Sequence, residues 1–189
     1  MVLTKTPICD FGKKAESFEL KSIDNKIISL NSVKGKNGTL VMFICNHCPY
    51  VKAVIDDIIH DCKILAKEGI RSVAIMSNDT KNYPEDSFEN MIKFSNNHNF
   101  ITAGFDLPYL IDGTQEVAKK YDAVCTPDFF GYNKNLELQY RGRIRELKEL
   151  KPVKSGNSDL LIAMKMVAKT GKGPEDQIPS MGCNIKWFK

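Results

Sequence analysis

The feature that most constrains this chain is an apolar run that ends in two cysteines. Residues 40–44 (Leu-Val-Met-Phe-Ile) carry no polar side chain, which favours a strand buried on both faces of a central sheet. Cys45-Asn46-His47-Cys48 follows directly, and Pro49 then opens a segment with helical periodicity. The start of a helix offers unpaired backbone N–H groups and a partial positive charge, and both stabilise a thiolate. The pattern therefore predicts a reactive dithiol between a buried strand and a helix.

Apolar periodicity predicts the elements around this dithiol. After Pro49, apolar residues recur at three- and four-residue spacing up to Leu65, and Gly69 ends the predicted helix. Residues 70–76 predict a second buried strand, parallel to the first because a helix connects them. The other predicted elements are a hairpin of residues 18–20 and 27–30, helices over 85–97, 114–121 and 159–169, a short strand over 107–111, and a hairpin of 129–132 and 136–140. Thr114 is the predicted N-cap of its helix, and residues 141–157 are expected to be irregular.

Composition narrows the class of protein. A chain of 189 residues with 42% hydrophobic and 26% charged residues predicts one globular domain over residues 1–189. The net charge of +4 is spread along the chain without a basic stripe or interleaved aromatics, so no nucleic-acid partner is expected. No run reaches membrane-spanning length and residues 1–12 lack a signal-peptide core, so no membrane association and a cytoplasmic location are expected. Six cysteines in a reducing compartment favour catalytic, redox or metal use over a disulfide framework.

Zinc binding is the alternative use of these cysteines. Cys45, His47 and Cys48, together with Cys125, are ligand types that suit a tetrahedral zinc ion. The second pair of spaced ligands that such sites usually have is missing from the sequence, so no metal is expected. A cysteine pair also carries electrons by itself and needs no organic cofactor.

Three separated motifs resemble the peroxiredoxin-like, AhpC/TSA-type branch of the thioredoxin superfamily. They are Cys-Asn-His-Cys-Pro-Tyr-Val-Lys at residues 45–52, Cys-Thr-Pro-Asp-Phe-Phe at 125–130 and Gly-Cys-Asn-Ile-Lys-Trp at 182–187. The resemblance extends over residues 12–187. It implies an α/β, thioredoxin-like fold: a central mixed β-sheet flanked by helices, with an N-terminal β-hairpin and a C-terminal extension.

The resemblance also implies a thiol–disulfide oxidoreductase. In that family the first cysteine attacks a substrate disulfide and the second resolves the mixed disulfide. The resemblance gives these roles to Cys45 and Cys48, in that order. The sulfur of Cys45 is expected to be exposed and its pKa to be lowered. Asn46 and His47 lie between them and are expected to tune the pair or to bind substrate. A His47 imidazole that stabilises the Cys45 thiolate would raise the redox potential above the thioredoxin value of about −270 mV. The alternative is that His47 is an exposed loop residue.

Further site residues come from the second and third motifs. Thr126-Pro127 matches the cis-proline position of the family, where the preceding backbone N–H and C=O are open to an extended substrate. A trans proline that begins the next strand is the alternative. Cys125 and Cys183 are candidates for an additional redox thiol, and a purely structural role is the competing interpretation for both.

Two departures from better-known relatives shape the functional prediction. Thioredoxins hold a buried Asp six residues before the nucleophile, where this chain has Thr39. Peroxiredoxins require Pro-x-x-x-Thr-x-x-Cys, and neither Cys45 nor Cys48 ends such a motif. A guanidinium for peroxide is offered by three closely spaced arginines: Arg141, Arg143 and Arg145. A thiol peroxidase is therefore the second hypothesis, and a non-catalytic redox-sensing module is the third. The expected partners are a disulfide-containing protein or small thiol and an upstream dithiol reductant.

Overall fold

A computed structural model describes residues 2–189 of the chain. The strands are β1 (Leu3–Lys5), β2 (Glu19–Ser22), β3 (Ile27–Ser29), β4 (Gly38–Phe43), β5 (Ile70–Met76), β6 (Ile101–Thr102), β7 (Phe105–Asp106), β8 (Tyr109–Ile111), β9 (Cys125–Thr126), β10 (Asp128–Asn133), β11 (Leu138–Tyr140), β12 (Leu147–Lys148), β13 (Lys151–Pro152) and β14 (Met181–Asn184). The helices are α1 (Pro49–Lys67), α2 (Phe88–Asn97), α3 (Glu116–Lys120) and α4 (Asp159–Thr170), with 3-10 turns at Asn31–Val33 and Pro84–Asp86.

Seven strands form a mixed central sheet in the order β11-β10-β4-β5-β8-β2-β3. Strands β4, β5 and β8 are parallel, and the strands outside them are antiparallel. Strand β4 is an inner strand, paired with β5 on one side and β10 on the other. The two cysteines that follow β4 therefore leave the sheet at the carboxyl end of parallel strands, where open α/β sheets usually place their ligands.

The apolar run of β4 packs on both faces of the sheet, as predicted. Leu40 and Met42 point into a core shared with α1 and α4, whereas Val41 and Phe43 point into a second core that includes α3. All of β4 is buried. A strand of this kind tolerates no polar face, which explains why the run reads as continuously apolar instead of alternating.

Helix α1 and strand β5 confirm the predicted crossover. Pro49 occupies the first turn of α1, and the buried stripe of the helix includes Val51, Ile58 and Leu65. Gly69 has a φ of +77°, a left-handed conformation that glycine adopts at little cost and that reverses the chain into β5. Strand β5 then runs parallel to β4 over residues 70–76, with the bounds that the sequence predicted.

Two helix starts differ from the prediction. The segment predicted as one helix over residues 85–97 is a 3-10 turn followed by α2, because Ser87 caps α2 by accepting a hydrogen bond from the Asn90 N–H at 3.4 Å. Thr114 does not cap α3: the N-cap position is Gln115, in the left-handed conformation. The Thr114 hydroxyl accepts from the Glu116 N–H at 3.4 Å from outside the N-cap position, and the Asp112 carboxylate accepts from the next two N–H groups of α3.

The C-terminal extension folds back onto the domain as a strand. Strand β14 lies between β1 and β9 in a separate three-stranded sheet, antiparallel to both. Both predicted hairpins form, as β2–β3 and β10–β11, and the region predicted as irregular contains the short hairpin β12–β13. No helix within residues 2–189 combines the length and apolar character needed to cross a membrane.

Candidate dithiol site

The two cysteines lie at the junction of β4 and α1, and both are buried. Cys48 is the N-cap residue of α1, in extended conformation, and Pro49 follows as the first helical residue. Cys45 is 1% exposed and Cys48 is 0% exposed. The expectation that Cys45 presents an exposed sulfur is therefore wrong. The reason lies outside the local sequence, since the segment around Thr126 and strand β14 cover the loop.

Thr126 contacts both sulfurs. The Thr126–Pro127 peptide bond is cis, as predicted. The Thr126 hydroxyl lies 3.3 Å from Cys45 Sγ, and the Thr126 carbonyl accepts a hydrogen bond from the Cys48 thiol at 3.1 Å. The backbone of Thr126, however, is not open to an extended substrate as expected, because it pairs with Cys183 of β14. Pro127 also borders a cleft of about 240 Å³ that Tyr50 and Met181 help to line.

A buried carboxylate that the sequence did not indicate organises the Asn46-His47 loop. Asp86 Oδ1 accepts from the backbone N–H groups of Asn46 at 2.8 Å and His47 at 3.3 Å. Asp86 Oδ2 lies 2.6 Å from His47 Nδ1 and also accepts from Asn78 Nδ2 at 2.8 Å. The Asn46 side chain accepts from the Tyr109 hydroxyl at 2.9 Å. Asn46 is thus buried and holds the loop in place through its hydrogen bonds. His47 is the ionic partner of Asp86.

The pairing with Asp86 sets the charge of His47. The hydrogen bond to Asp86 raises the pKa of His47, although partial burial opposes the shift. Burial by itself would raise the pKa of Asp86, but the hydrogen bonds from His47 and Asn78 outweigh it and hold that pKa below its ordinary value. The His47 ring also stacks on Tyr83, with ring centroids 5.8 Å apart. A histidine–carboxylate pair therefore lies beside the dithiol, with His47 Nδ1 4.0 Å from Cys45 Sγ.

The lowered pKa of the pair belongs to Cys48. The neighbouring Cys45 thiol has the largest effect on the pKa of Cys48, and the Thr126 hydroxyl and the backbone N–H groups of Cys183 and Val51 lower it further. Burial and the hydrogen bond to the Thr126 carbonyl oppose ionisation, but these polar neighbours outweigh them and lower the pKa of Cys48 to about 5. The helix start contributes in the same direction.

Cys45 has the opposite electrostatic environment. Its hydrogen bond to Cys48 raises its pKa most, and burial and the negative charge of Asp86 raise it further. These directions run against the expectation that Cys45 holds the lowered pKa, with His47 as its stabilising cation. The Asp86 carboxylate offsets the imidazolium charge, and Cys48 at the N-cap holds the better set of hydrogen-bond donors.

The other candidate thiols differ in position. Cys125 is fully buried, its thiol points to the Pro127 carbonyl at 3.6 Å, and burial raises its pKa far above the ordinary value, all of which fits a core residue. Cys183 lies opposite Thr126 in the β14–β9 pair and within hydrogen-bonding reach of Cys48. Burial, followed by that contact, raises the pKa of Cys183 to about 12.

The three arginines that the sequence offered for a peroxide site all pair with carboxylates. Arg141 pairs with Asp128 at 3.1 Å and donates to the Asp122 carbonyl at 2.6 Å. The remaining pairs are Arg143 with Asp159 at 2.6 Å and Arg145 with Asp57 at 3.2 Å. These ion pairs neutralise the charges of the guanidinium groups and give the three arginines structural roles.

Cys45, His47 and Asp86 bring three ligand types for a metal ion within 4.8 Å of one another. The ligand atoms are spaced as in a hydrogen-bonded network and not as around a metal ion. The 2.6 Å between His47 Nδ1 and Asp86 Oδ2 is shorter than the roughly 3.4 Å that separates two ligands about 2.1 Å from a tetrahedral zinc ion. Since Asp86 also accepts three further hydrogen bonds, metal binding would have to break this network.

Sequence reasoning placed the dithiol and the cis-proline but missed Asp86, Asn78 and Tyr109. Acidic residues are common in the first turn of helices, so the position of Asp86 within a predicted helix start gave no reason to connect it with the cysteines. Only the break between the 3-10 turn and α2 directs its side chain into the loop.

Comparisons with known proteins agree with this architecture. The model of the AhpC/TSA family matches residues 11–147. An uncharacterized conserved protein from Geobacillus kaustophilus is 38% identical, with a TM-score of 0.90 over 100% of this chain and 97% of that one. A hypothetical protein from Sinorhizobium meliloti 1021 is 33% identical, with a TM-score of 0.85 and 97% of each chain covered. No curated protein matches the chain.

More distant structures establish the fold. The thioredoxin domain of a thiol-disulfide oxidoreductase from Bacteroides vulgatus is 15% identical, with a TM-score of 0.57 over 69% of this chain and 86% of that one. This likeness confirms the thioredoxin-like fold that the three sequence motifs implied.

Proposed function

Because the chain belongs to the AhpC/TSA family, we propose that it is a thiol–disulfide oxidoreductase whose electron carrier is the Cys45/Cys48 dithiol. One observation carries the proposal: the two thiols lie together at the start of α1, where Thr126 contacts both sulfurs and the pKa of Cys48, the N-cap residue, is lowered to about 5. A stabilised thiolate next to a second thiol is the arrangement that disulfide exchange requires.

The electrostatics of the pair assign its roles in the order opposite to the family pattern. The Cys48 thiolate attacks one sulfur of a substrate disulfide, which forms a mixed disulfide and releases the first substrate thiolate. Cys45 then loses its proton and attacks Cys48 Sγ, which breaks the mixed disulfide and releases the second substrate thiol. The substrate gains two electrons, and Cys45–Cys48 becomes a disulfide. An upstream dithiol restores the reduced pair by the reverse exchange.

The surroundings of the pair favour a small disulfide as substrate over a folded protein. Both sulfurs are almost completely buried, and β14 already occupies the backbone edge of Thr126 to which an extended peptide would bind. The cleft beside Pro127 is about 240 Å³, below the roughly 300–1,000 Å³ of pockets that enclose a whole drug-sized ligand, so it has room for one arm of a small disulfide and not for a folded protein surface. We therefore expect faster turnover of glutathione disulfide than of insulin.

Peroxide reduction by Cys48 is the second candidate. Two observations favour it: the lowered pKa of Cys48 supplies the thiolate that attacks a peroxide, and the chain belongs to the AhpC/TSA family. Against it, the sequence lacks the Pro-x-x-x-Thr-x-x-Cys motif. Arg141, Arg143 and Arg145 are all in ion pairs with carboxylates.

The decisive experiment measures the reduction of glutathione disulfide with a small dithiol as the electron source. Wild type is expected to accelerate it, Cys48→Ser to return the rate to the uncatalysed background, and Cys9→Ser to match wild type. Cys9 is the matched control because it is partly exposed and contacts neither cysteine of the pair. Peroxide consumption faster than disulfide turnover would favour the peroxidase. Absence of both activities would leave the redox-sensing module and refute the proposal.

A further inference from the structure

Strand β14 occupies the place where an extended substrate would pair with the site. It runs antiparallel to β9, with Cys183 opposite Thr126 and Asn184 opposite Cys125. Thr126 is the residue before the cis-proline, and it contacts both Cys45 and Cys48. A cysteine of this chain therefore stands where a substrate peptide would place its own residue against the dithiol.

The strand is fixed in this position on both sides. Strand β1 pairs with its other edge, with Leu3 opposite Cys183. At Gly182 an added Cβ would lie 2.0 Å from the Thr126 carbonyl oxygen, so only glycine permits this close approach of β14 to the cis-proline. The Gly182-Cys183 step is thus the sequence requirement for holding a third thiol at the site.

Cys183 packs against the dithiol. It belongs to the same buried cluster as Cys45 and Cys48, it lies opposite the Thr126 that touches both sulfurs, and it is near enough to Cys48 to shift the pKa of that thiol. Cys183 is 3% exposed, so the contact is inside the protein. Cys125 is on the neighbouring strand, but its thiol points to the Pro127 carbonyl instead.

From this arrangement we propose that Cys183 is a second resolving thiol for Cys48, supplied by the protein's own strand at the position of a substrate strand. The proposal rests on the proposed oxidoreductase function. In the mixed disulfide between Cys48 and a substrate thiol, Cys183 attacks Cys48 Sγ. The Cys48–Cys183 bond forms, the mixed disulfide breaks, and the departing substrate thiolate takes up a proton in place of the one that Cys183 loses.

This step gives the mixed disulfide two competing exits, to Cys45 and to Cys183. Both products carry the same number of electrons, so an external dithiol can reduce either of them. The exit through Cys183 also links β14 covalently to the start of α1. A protein that lacks only Cys45 is then expected still to reduce one substrate disulfide per cycle, with Cys48 and Cys183 as the two thiols that become oxidised.

The test uses Cys45→Ser and one equivalent of glutathione disulfide, followed by acid quenching and intact-mass analysis. The proposal predicts loss of two protein thiols, release of two glutathione molecules and no glutathionyl adduct. The double variant Cys45→Ser/Cys183→Ser is expected to retain one glutathionyl group on Cys48. Accumulation of that adduct on Cys45→Ser itself would overturn the proposal.

Peptide mapping identifies the disulfide that forms. Trypsin places Cys48, Cys125 and Cys183 on separate peptides, residues 37–52, 121–134 and 173–186. A link between 37–52 and 173–186 is expected in Cys45→Ser and in oxidised wild type, whereas a link to 121–134 contradicts the assignment. If Cys45→Ser fails to fold, fragmentation of the linked wild-type peptides decides the question: residues 37–52 hold both Cys45 and Cys48, and a bond from Cys45 to Cys183 would contradict the assignment. Turnover lost in Cys48→Ser but unchanged in Cys183→Ser, with no link to 173–186, refutes this proposal and leaves the oxidoreductase intact.

Discussion

Replacing Asp86 by asparagine is expected to lower the free energy of unfolding by about 2–4 kcal/mol. The carboxylate is completely buried and accepts hydrogen bonds from the His47 ring, the Asn78 amide and two backbone N–H groups. Asparagine keeps the shape of the side chain but removes its charge. Its N–H₂ group would face N–H donors, and such a group cannot accept their hydrogen bonds. Breaking a buried ion pair costs about 3–5 kcal/mol, and the estimate is reduced because the His47 side chain is 16% exposed.

The assay is urea denaturation under reducing conditions, with the slope of unfolding free energy against urea expected to stay constant. Asp122→Asn is the matched control, since it breaks a 2.7 Å ion pair with Lys13 in which the Asp122 side chain is 66% exposed. Exposed pairs of this kind contribute about 0–1 kcal/mol. The reasoning is refuted if Asp86→Asn loses no more stability than Asp122→Asn.

The pH dependence gives a second check on the Asp86 variant. The folded-state pKa of His47 is raised above 6.5, so its contribution to stability is complete below that value and is lost as the pH rises through the raised pKa. The pKa of Asp86 is lowered below 3.8, so its contribution is present above 3.8 and is lost as the pH falls through the lowered pKa. The stability difference between wild type and Asp86→Asn should therefore be larger at about pH 5.5 than at about pH 8.5, on either side of the ordinary histidine pKa. A difference that grows with pH would contradict the ion pair.

Three further predictions concern the thiols and β14. Thiolate absorbance in the ultraviolet should titrate with a midpoint near pH 5 that disappears in Cys48→Ser. The midpoint should shift upward in Cys45→Ala, because Cys45 makes the largest contribution to the lowered pKa of Cys48. A midpoint that survives in Cys48→Ser would contradict the assignment. The dithiol potential, measured against glutathione, should lie above about −270 mV because the reduced form holds a stabilised thiolate, and a value at or below that of thioredoxin would refute this. Gly182→Ala should cost about 1–3 kcal/mol of unfolding free energy, since its Cβ would lie 2.0 Å from the Thr126 oxygen. Gly113→Ala, which has nothing within 4 Å of the added Cβ, should stay within about 0.5 kcal/mol, and equal effects would rule out the close approach.

The sequence by itself determined the elements whose signals are local. The run of residues 40–44, the spacing of apolar residues in α1 and the Pro49 and Gly69 boundaries each lie within a few residues of the structure they specify. Burial on both faces of a strand or on one face of a helix leaves a direct periodic trace in the chain. The position of the dithiol between β4 and α1, and with it the class of chemistry, followed from such traces.

The tertiary structure alone decided what surrounds the dithiol and which of its cysteines has the lower pKa. The groups that act on Cys48 include Thr126 and Cys183, which are 78 and 135 residues away in the chain, and Asp86 reaches the loop from a 3-10 turn. These contacts depend on the register of β14 against β9 and on the break before α2. A pKa is set by donors, charges and burial in three dimensions, so a C-x-x-C motif predicts a dithiol but not the distribution of charge within it.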